Sequence, residues 1–150
     1  MGLHRVEELP AGGADTVRVP LVGPALCAGF PSPADDFVED ALDLPRWLVP
    51  NPPATFLMRV QGESMRGAGI FAGDLVCVDR SMTAGAGSVV VAVIDGLLSC
   101  KRYLIEGNTP RLAFDNPDLP ALALDEAADV EIWGVVRFSV RWHVSRGRGR

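Results

Sequence analysis

The chain has 150 residues, of which 48% are hydrophobic and 22% charged, so it can bury one substantial core and has the composition of an ordinary globular protein. Its formal net charge of -5 argues against a protein that binds nucleic-acid phosphates over a wide surface. The 16 glycines and 12 prolines favour many turns and short strands over long helices, so we expect one mainly β domain.

The first part of the chain, residues 1–53, is predicted to be a proline-rich arm. It contains nine of the 12 prolines and little sustained periodicity. Within it, residues 16–22 are predicted to form one short extended segment. Residues 33–42 are predicted to form a short helix that Pro45 ends, because proline and acidic residues occupy its first turn.

Residues 54–144 are predicted to form the folded core, because the composition changes there to short β-rich runs separated by Gly/Asp/Asn-rich turns. The runs are Thr55–Val60, Leu75–Val78, Val89–Ile94, Leu97–Ile105 and Val130–Val144, the last in one or two pieces. The final residues, 145–150, are predicted to be a basic flexible tail, to which we assign no function.

One hairpin can be placed from the sequence, because Asp95-Gly96 between two apolar runs is a strong signal for a two-residue type I′ turn. The register predicts three facing pairs: Ile94 with Leu97, Ala92 with Ser99, and Val90 with Lys101. Lys101 is thereby placed on an apolar face of the sheet, where burial penalises the ammonium and lowers its pKa. A neutral amine is a usable base, although a strand lysine more often extends to solvent.

Ser64 lies where a β run ends in a glycine turn, and an apolar anchor, Met65, follows it. A serine after a tight turn can be held exposed with backbone N–H groups nearby, as an acyl-transfer nucleophile requires. Taken alone the signal is weak, because serines in turns are common and usually structural. The combination with a buried Lys101 is what favours a serine/lysine dyad.

Other catalytic schemes have little support in the sequence. The chain has no Gly-x-Ser-x-Gly elbow, no Ser-x-x-Lys and no His-Glu-x-x-His, and its two histidines, His4 and His143, are near the termini. A thiol dyad of Cys100 with His143 is conceivable. The predicted register, however, puts Cys100 on the opposite strand face from Lys101, where a core position is expected.

The cysteines and the apolar runs set the expectations for cofactors and compartment. Cys27, Cys77 and Cys100 are isolated thiols without CxxC or Cys/His spacing, so we expect no disulfide framework, no metal site and no cofactor. No apolar run is long enough for a membrane span, and the N-terminus lacks the apolar core of a signal peptide. We therefore expect a cytoplasmic protein without membrane contact.

Several ordered motifs together resemble the LexA/UmuD family of self-cleaving serine peptidases, the S24 family. Residues 27–39, CAGFPSPADDFVE, are similar to the family's cleavage-site region. The peptidase core is matched by residues 62–65 (GESM), 69–70 (GI), 73–79 (GDLVCVD), 95–96 (DG) and 101–102 (KR). The resemblance spans about residues 16–143, and its order and spacing make it far more specific than any one motif.

The resemblance implies a fold, a dyad and a substrate bond. The fold is the mainly β, LexA/signal-peptidase-like peptidase fold of bent antiparallel sheets with a flexible N-terminal arm. The implied nucleophile is Ser64, the implied general base is Lys101, and the backbone N–H groups of Glu63 and Ser64 are the implied oxyanion donors. The implied cleavage site is the Ala28–Gly29 bond in the chain's own arm.

The resemblance also implies partners. Only 28 residues precede the cleavage site, too few for the helix-turn-helix domain of a LexA-like repressor, so the UmuD-like branch is the better match. For that branch it implies a homodimer, self-cleavage promoted after DNA damage by a RecA filament on single-stranded DNA, and a UmuC-type translesion DNA polymerase as partner. Two alternatives remain: a non-catalytic interaction module that docks on a polymerase, and a LexA-like repressor peptidase lacking its DNA-binding domain.

Overall fold

The computed structural model describes residues 15–23, 38–120 and 129–145, which contain eight β-strands. In chain order the strands are β1 (Thr16–Val22), β2 (Val38–Pro45), β3 (Thr55–Arg59), β4 (Leu75–Asp79), β5 (Val89–Ile94), β6 (Leu97–Glu106), β7 (Thr109–Ala113) and β8 (Val130–Val140). The helical elements of these ranges are three single 3-10 turns, Arg46–Leu48, Pro52–Ala54 and Arg66–Ala68. The prediction of a mainly β fold is confirmed.

All eight strands belong to one hydrogen-bonded sheet with the order β2-β1-β3-β4-β8-β5-β6-β7. Neighbouring strands are antiparallel except β1 and β3, which run parallel. The sheet is therefore mixed, and β4, β8 and β5 occupy its centre. The two edge strands among the described residues are β2 and β7.

Two parts of the predicted arm join this sheet. The extended segment predicted at residues 16–22 is confirmed as β1. The helix predicted at residues 33–42 is wrong in its described part, because Val38–Pro45 forms β2 and pairs with β1 along its length. The acidic first-turn signal is local, whereas the pairing also packs Leu42 and Leu44 of β2 against a core cluster, and this tertiary contact decides the conformation.

The core has two apolar clusters on opposite faces of the sheet. Alternation along β4 shows this, since Leu75 and Cys77 lie in one cluster and Val76 and Val78 in the other. We call the cluster around Leu75 and Cys77 the β1-side cluster; its other buried members are Val19, Leu21, Val49 and Leu57. The second, the Trp133 cluster, consists of Val22, Met58, Met65, Ile70, Val76, Val78, Val91, Val93 and Trp133.

The β5–β6 hairpin forms in the predicted register. Its pairs include Ile94 with Leu97, Ala92 with Ser99 and Val90 with Lys101. The turn residues Asp95 and Gly96 have φ angles of 48° and 85°, and positive φ at both central positions is the requirement of a type I′ turn.

The remaining predicted runs match β3, β4, β5, β6 and β8, and β8 is one piece that ends at Val140. The structure adds β7, for which we predicted no strand. It pairs with β6 through residues 102–106, and its proline and arginine are typical of an edge strand.

Candidate active site

Ser64 lies in the loop between β3 and β4, which we call the serine turn (residues 60–70). The loop is closed at its base by backbone hydrogen bonds from Val60 N to Asp74 O (2.8 Å) and from Gly73 N to Val60 O (2.9 Å). The next residue, Met65, is 1% exposed in the Trp133 cluster and anchors the turn, while Ser64 itself is half-buried. The predicted arrangement of a partly accessible serine beside an apolar anchor is therefore present.

A segment that follows β7 holds the serine turn from outside; we call it the clasp (residues 114–118). The N–H of Asp115 donates to the carbonyl of Ser64 (2.9 Å), and the N–H of Gly67 donates to the carbonyl of Asp115 (2.6 Å). The buried Asn116 donates from Nδ2 to the carbonyl of Glu63 (2.7 Å). Two of these hydrogen bonds fix the peptide groups on both sides of Ser64, and the third, from Gly67, holds the serine turn further along.

Lys101 lies on β6 and is 4% exposed. Its Nζ donates to the hydroxyl of Ser99 and to the carbonyl of Cys100 (3.1 Å), and it lies 4.9 Å from the ring centroid of Phe114. Within the described ranges no carboxylate forms an ion pair with it. Burial without a counter-charge lowers the pKa of Lys101 from its ordinary 10.5, which increases the neutral fraction.

The clasp contacts both Ser64 and Lys101, through adjacent residues, while the hydrogen bonds of Lys101 Nζ go to Ser99 and Cys100. Lys101 faces the ring of Phe114, and Ser64 accepts a hydrogen bond from the adjacent Asp115. The next residue of β6, Arg102, forms an ion pair with Asp115 and donates from Nε to its Oδ2 (3.1 Å). Two consecutive clasp residues thus connect the serine turn to the strand that carries the lysine.

The other predicted site residues are placed as follows. Glu63 is exposed, and among the described residues neither its N–H nor that of Ser64 donates a hydrogen bond. Their use as oxyanion donors stays a prediction. Ala28 and Gly29 lie outside the described residues.

The thiol alternative is disfavoured by the surroundings of Cys100. Its side chain packs against the Trp133 cluster. Burial raises the pKa of this thiol to about 11, so little thiolate is present at neutral pH.

Within residues 15–23, 38–120 and 129–145, no group of three or more His, Cys, Asp or Glu side chains is arranged to hold a metal ion. No helix in those ranges has the length and apolar character needed to cross a membrane.

Sequence reasoning missed the clasp. Asn116-Pro117-Asp118 is a recognisable turn signal, but a turn signal gives no information about which distant loop it contacts. A second missed signal is that Lys101 is the only lysine in the chain, since every other strongly basic residue is arginine. The pKa of a lysine, unlike that of an arginine, shifts readily on burial, so a single lysine among arginines is a candidate for a group that titrates.

Comparison with known proteins supplies the context of this site. The family model described as Peptidase S24-like matches residues 20–137. Protein MucA of Salmonella typhimurium is 40% identical over 141 residues, covering 93% of this chain and 96% of MucA. Protein ImpA of Shigella flexneri is 41% identical over 134 residues and 89% of each chain. A LexA repressor of Clostridium kluyveri is 36% identical over 112 residues, which cover 75% of this chain and 55% of the repressor.

Proposed function

Because this chain belongs to the S24-like family of self-cleaving serine peptidases, we propose that it is a UmuD-like SOS mutagenesis protein that cuts its own chain at Ala28–Gly29. Ser64 is the nucleophile and Lys101 the general base. Residues 54–144 act as the peptidase core, and residues 1–28 are the part removed.

One observation carries the proposal. The only lysine of the chain is 4% exposed, has no carboxylate partner among the described residues, and contacts the clasp that also holds Ser64. An isolated buried ammonium is costly unless it is neutralised, so the site favours the form of lysine that accepts a proton. That form is the one a serine nucleophile needs.

The chemistry follows from these groups. Neutral Lys101 Nζ accepts the proton of Ser64 Oγ while this oxygen attacks the carbonyl carbon of Ala28, and the N–H groups of Glu63 and Ser64 stabilise the oxyanion. The bond to Gly29 breaks, the lysine ammonium gives its proton to the new amine, and an ester joins the serine to residues 1–28. One water then hydrolyses the ester with Lys101 as base, which restores the serine and leaves a free carboxyl group.

The partners belong to the same proposal. The relatives MucA, ImpA and SamA support a UmuD-like protein that oligomerises and acts in SOS mutagenesis. The finer part is our proposal from the family resemblance: a homodimer whose cleavage a RecA filament on single-stranded DNA promotes, and whose trimmed form serves a UmuC-type polymerase. The net charge of -5 fits a chain that reaches DNA through such partners. A filament that stabilises the docked, dehydrated state of the arm raises the fraction of molecules in which the arm is docked and Lys101 is neutral. It does so without adding a catalytic group.

The test compares wild-type protein with Ser64→Ala, Lys101→Ala and the control Ser139→Ala, which changes an exposed serine of β8. Each is incubated at about pH 10, where the neutral fraction of a buried lysine is larger than at neutral pH, and intact-mass spectra are read for loss of residues 1–28. We expect loss from the wild type and the control only. Equal loss from all four proteins would exclude self-catalysis and favour the non-catalytic interaction module.

A second experiment tests whether a RecA filament activates the cleavage. The same four proteins are incubated at neutral pH with RecA, single-stranded DNA and a nucleotide that supports the filament. We expect the filament to accelerate cleavage of the wild type and the control, and to leave Ser64→Ala and Lys101→Ala intact. A wild-type rate that is the same with and without filament contradicts the RecA part of the proposal.

A further inference from the structure

We propose that residues 1–28 stay bound to the rest of the molecule after the cut, because β1 is an internal strand of the sheet. The position of the cut rests on the proposed function. Retention itself follows for any cut between β1 and β2, since β1 then lies on one fragment and its neighbours on the other.

Strand β1 is paired along its length with β2 and, at its C-terminal end, also with β3. With β2 it forms an antiparallel ladder that runs from Thr16 opposite Pro45 to Val22 opposite Val38. With β3 it pairs in parallel, Leu21 opposite Leu57. A strand between two neighbours has hydrogen-bond partners on both edges, so its departure leaves main-chain groups of β2 and β3 unpaired.

The packing of β1 is equally complete. Val19, Leu21 and Val22 are 1%, 6% and 4% exposed. Val19 and Leu21 belong to the β1-side cluster, with Val49 and Leu57 among its members, while Val22 belongs to the Trp133 cluster on the other face. Loss of β1 therefore exposes apolar side chains on both faces of the sheet, which disfavours dissociation.

Polar contacts at the start of β1 fix its register. Arg46 N donates to the carbonyl of Asp15 (3.1 Å), and Arg46 Nε donates to the carboxylate of the same residue (3.1 Å). Arg18 and Asp43 form an ion pair at 3.4 Å. These side chains are exposed, so they orient the strand and add little to its retention.

Hydrolysis adds one water across one peptide bond and breaks none of these contacts. The immediate product is therefore a two-piece complex in which β1, carried by the fragment of residues 1–28, still lies between β2 and β3. Dissociation is a second, separate step, and only this step opens β2 and β3 to another strand. The cut and the exposure of a new surface are thus distinct events.

The experiment uses the full chain cut in two ways. Wild-type protein is allowed to cleave itself at alkaline pH, and a Ser64→Ala protein with a site-specific protease sequence inserted after Gly29 is cut by that protease. Denaturing mass spectrometry measures the cut, and native mass spectrometry with size exclusion at about 20 μM measures the fragment retained after return to neutral pH. We expect most of the fragment to remain bound, and complete separation of the pieces in both preparations would overturn the proposal. A wild type that stays uncut beside a retained protease-cut fragment contradicts the proposed function alone.

Variants of β1 test the cause of retention. Leu21→Ala and Val19→Ala each remove buried atoms, and we expect each to raise the dissociation constant of the cut complex at least about tenfold. Thr16→Ala, at an exposed position of the same strand, is the matched control and leaves the retained fraction unchanged. Circular dichroism before the cut checks that each variant is folded, and Val19→Ala decides the test if Leu21→Ala does not fold. Retention that is equal in the folded buried-site variant and the control contradicts the proposal.

Discussion

Lys101 has an environment made of a hydroxyl, a carbonyl and an aromatic ring, on a strand face that the turn at Asp95-Gly96 places in the interior. As the only lysine, it gives a single side-chain signal in protein labelled with ¹³C at lysine Cε. We expect this signal in Ser64→Ala to titrate below 10.5, because burial lowers the pKa of Lys101. The pH midpoint of wild-type self-cleavage should coincide with it. A titration at or above 10.5 contradicts a neutral lysine base.

The same pKa shift predicts how stability depends on pH. Between the lowered pKa of folded Lys101 and 10.5, the unfolded chain binds more protons than the folded chain, so folding stability rises with pH in that window. Lys101→Met removes the buried ammonium. In a Ser64→Ala background we expect Lys101→Met to be more stable at neutral pH, by roughly 1–3 kcal/mol, and the difference to shrink as pH approaches 10.5. Urea unfolding at several pH values measures this difference in stability. A difference that grows with pH contradicts a lowered pKa of Lys101.

Asn116 is the clasp side chain that orients the Glu63–Ser64 peptide. Because its Nδ2 holds the carbonyl of Glu63, the N–H of Ser64 on the opposite edge of that planar peptide is fixed in direction. We expect Asn116→Ala to lower the plateau rate of self-cleavage by about tenfold or more without moving its pH midpoint. Asn108→Ala, at an exposed turn position, is the control and should cleave like the wild type. A shifted pH midpoint would instead indicate that Asn116 affects the pKa of Lys101.

At the scale of elements, the serine turn and the clasp approach so closely that a glycine is required. A Cβ on Gly67 would lie 2.7 Å from the backbone carbonyl oxygen of Asp115, too close for either backbone to tolerate. We expect Gly67→Ala to push the clasp away, to slow self-cleavage by about 100-fold and to destabilise the fold by roughly 1–3 kcal/mol. Gly85→Ala, where a Cβ meets open space, is the control for both the cleavage assay and urea unfolding. Equal rates for the two variants contradict the role of the clasp.

The elements also show which features of the fold local sequence signals predict. The β5–β6 hairpin was predictable to the residue because a two-residue turn fixes the register of everything that follows it. The helix prediction at residues 33–42 failed in its described part because first-turn acids and prolines are weak signals that pairing with β1 overrides. For the site, turn chemistry and register made Ser64 and Lys101 weak candidates, and the ordered family motifs made them the preferred dyad. The clasp was not predicted, because its hydrogen bonds to the serine turn join residues about 50 positions apart.

At the scale of the whole molecule, Cys77 reports on global unfolding. It is 0% exposed on central strand β4, and burial raises the pKa of its thiol to about 11. In a Ser64→Ala background at about pH 8, we expect a thiol reagent to reach Cys77 only through unfolding of the sheet. Its labelling rate, followed by peptide mass, should then rise with urea with the slope of global unfolding. A rate insensitive to low urea points to local opening of β4 instead.

The clasp is synthesised later than the serine turn that it holds. A ribosome delivers Ser64 about 50 residues before Asn116, an interval of several seconds at roughly 5–20 residues per second. During that interval the nascent chain already contains the proposed scissile bond and the serine, but lacks the segment that fixes the serine turn. Strand β8, which pairs β4 with β5 at the centre of the sheet, emerges later still. For a chain that cuts itself as proposed, this order disfavours cleavage before the clasp is made, so we expect ribosome-bound chains that end before residue 114 to stay uncut.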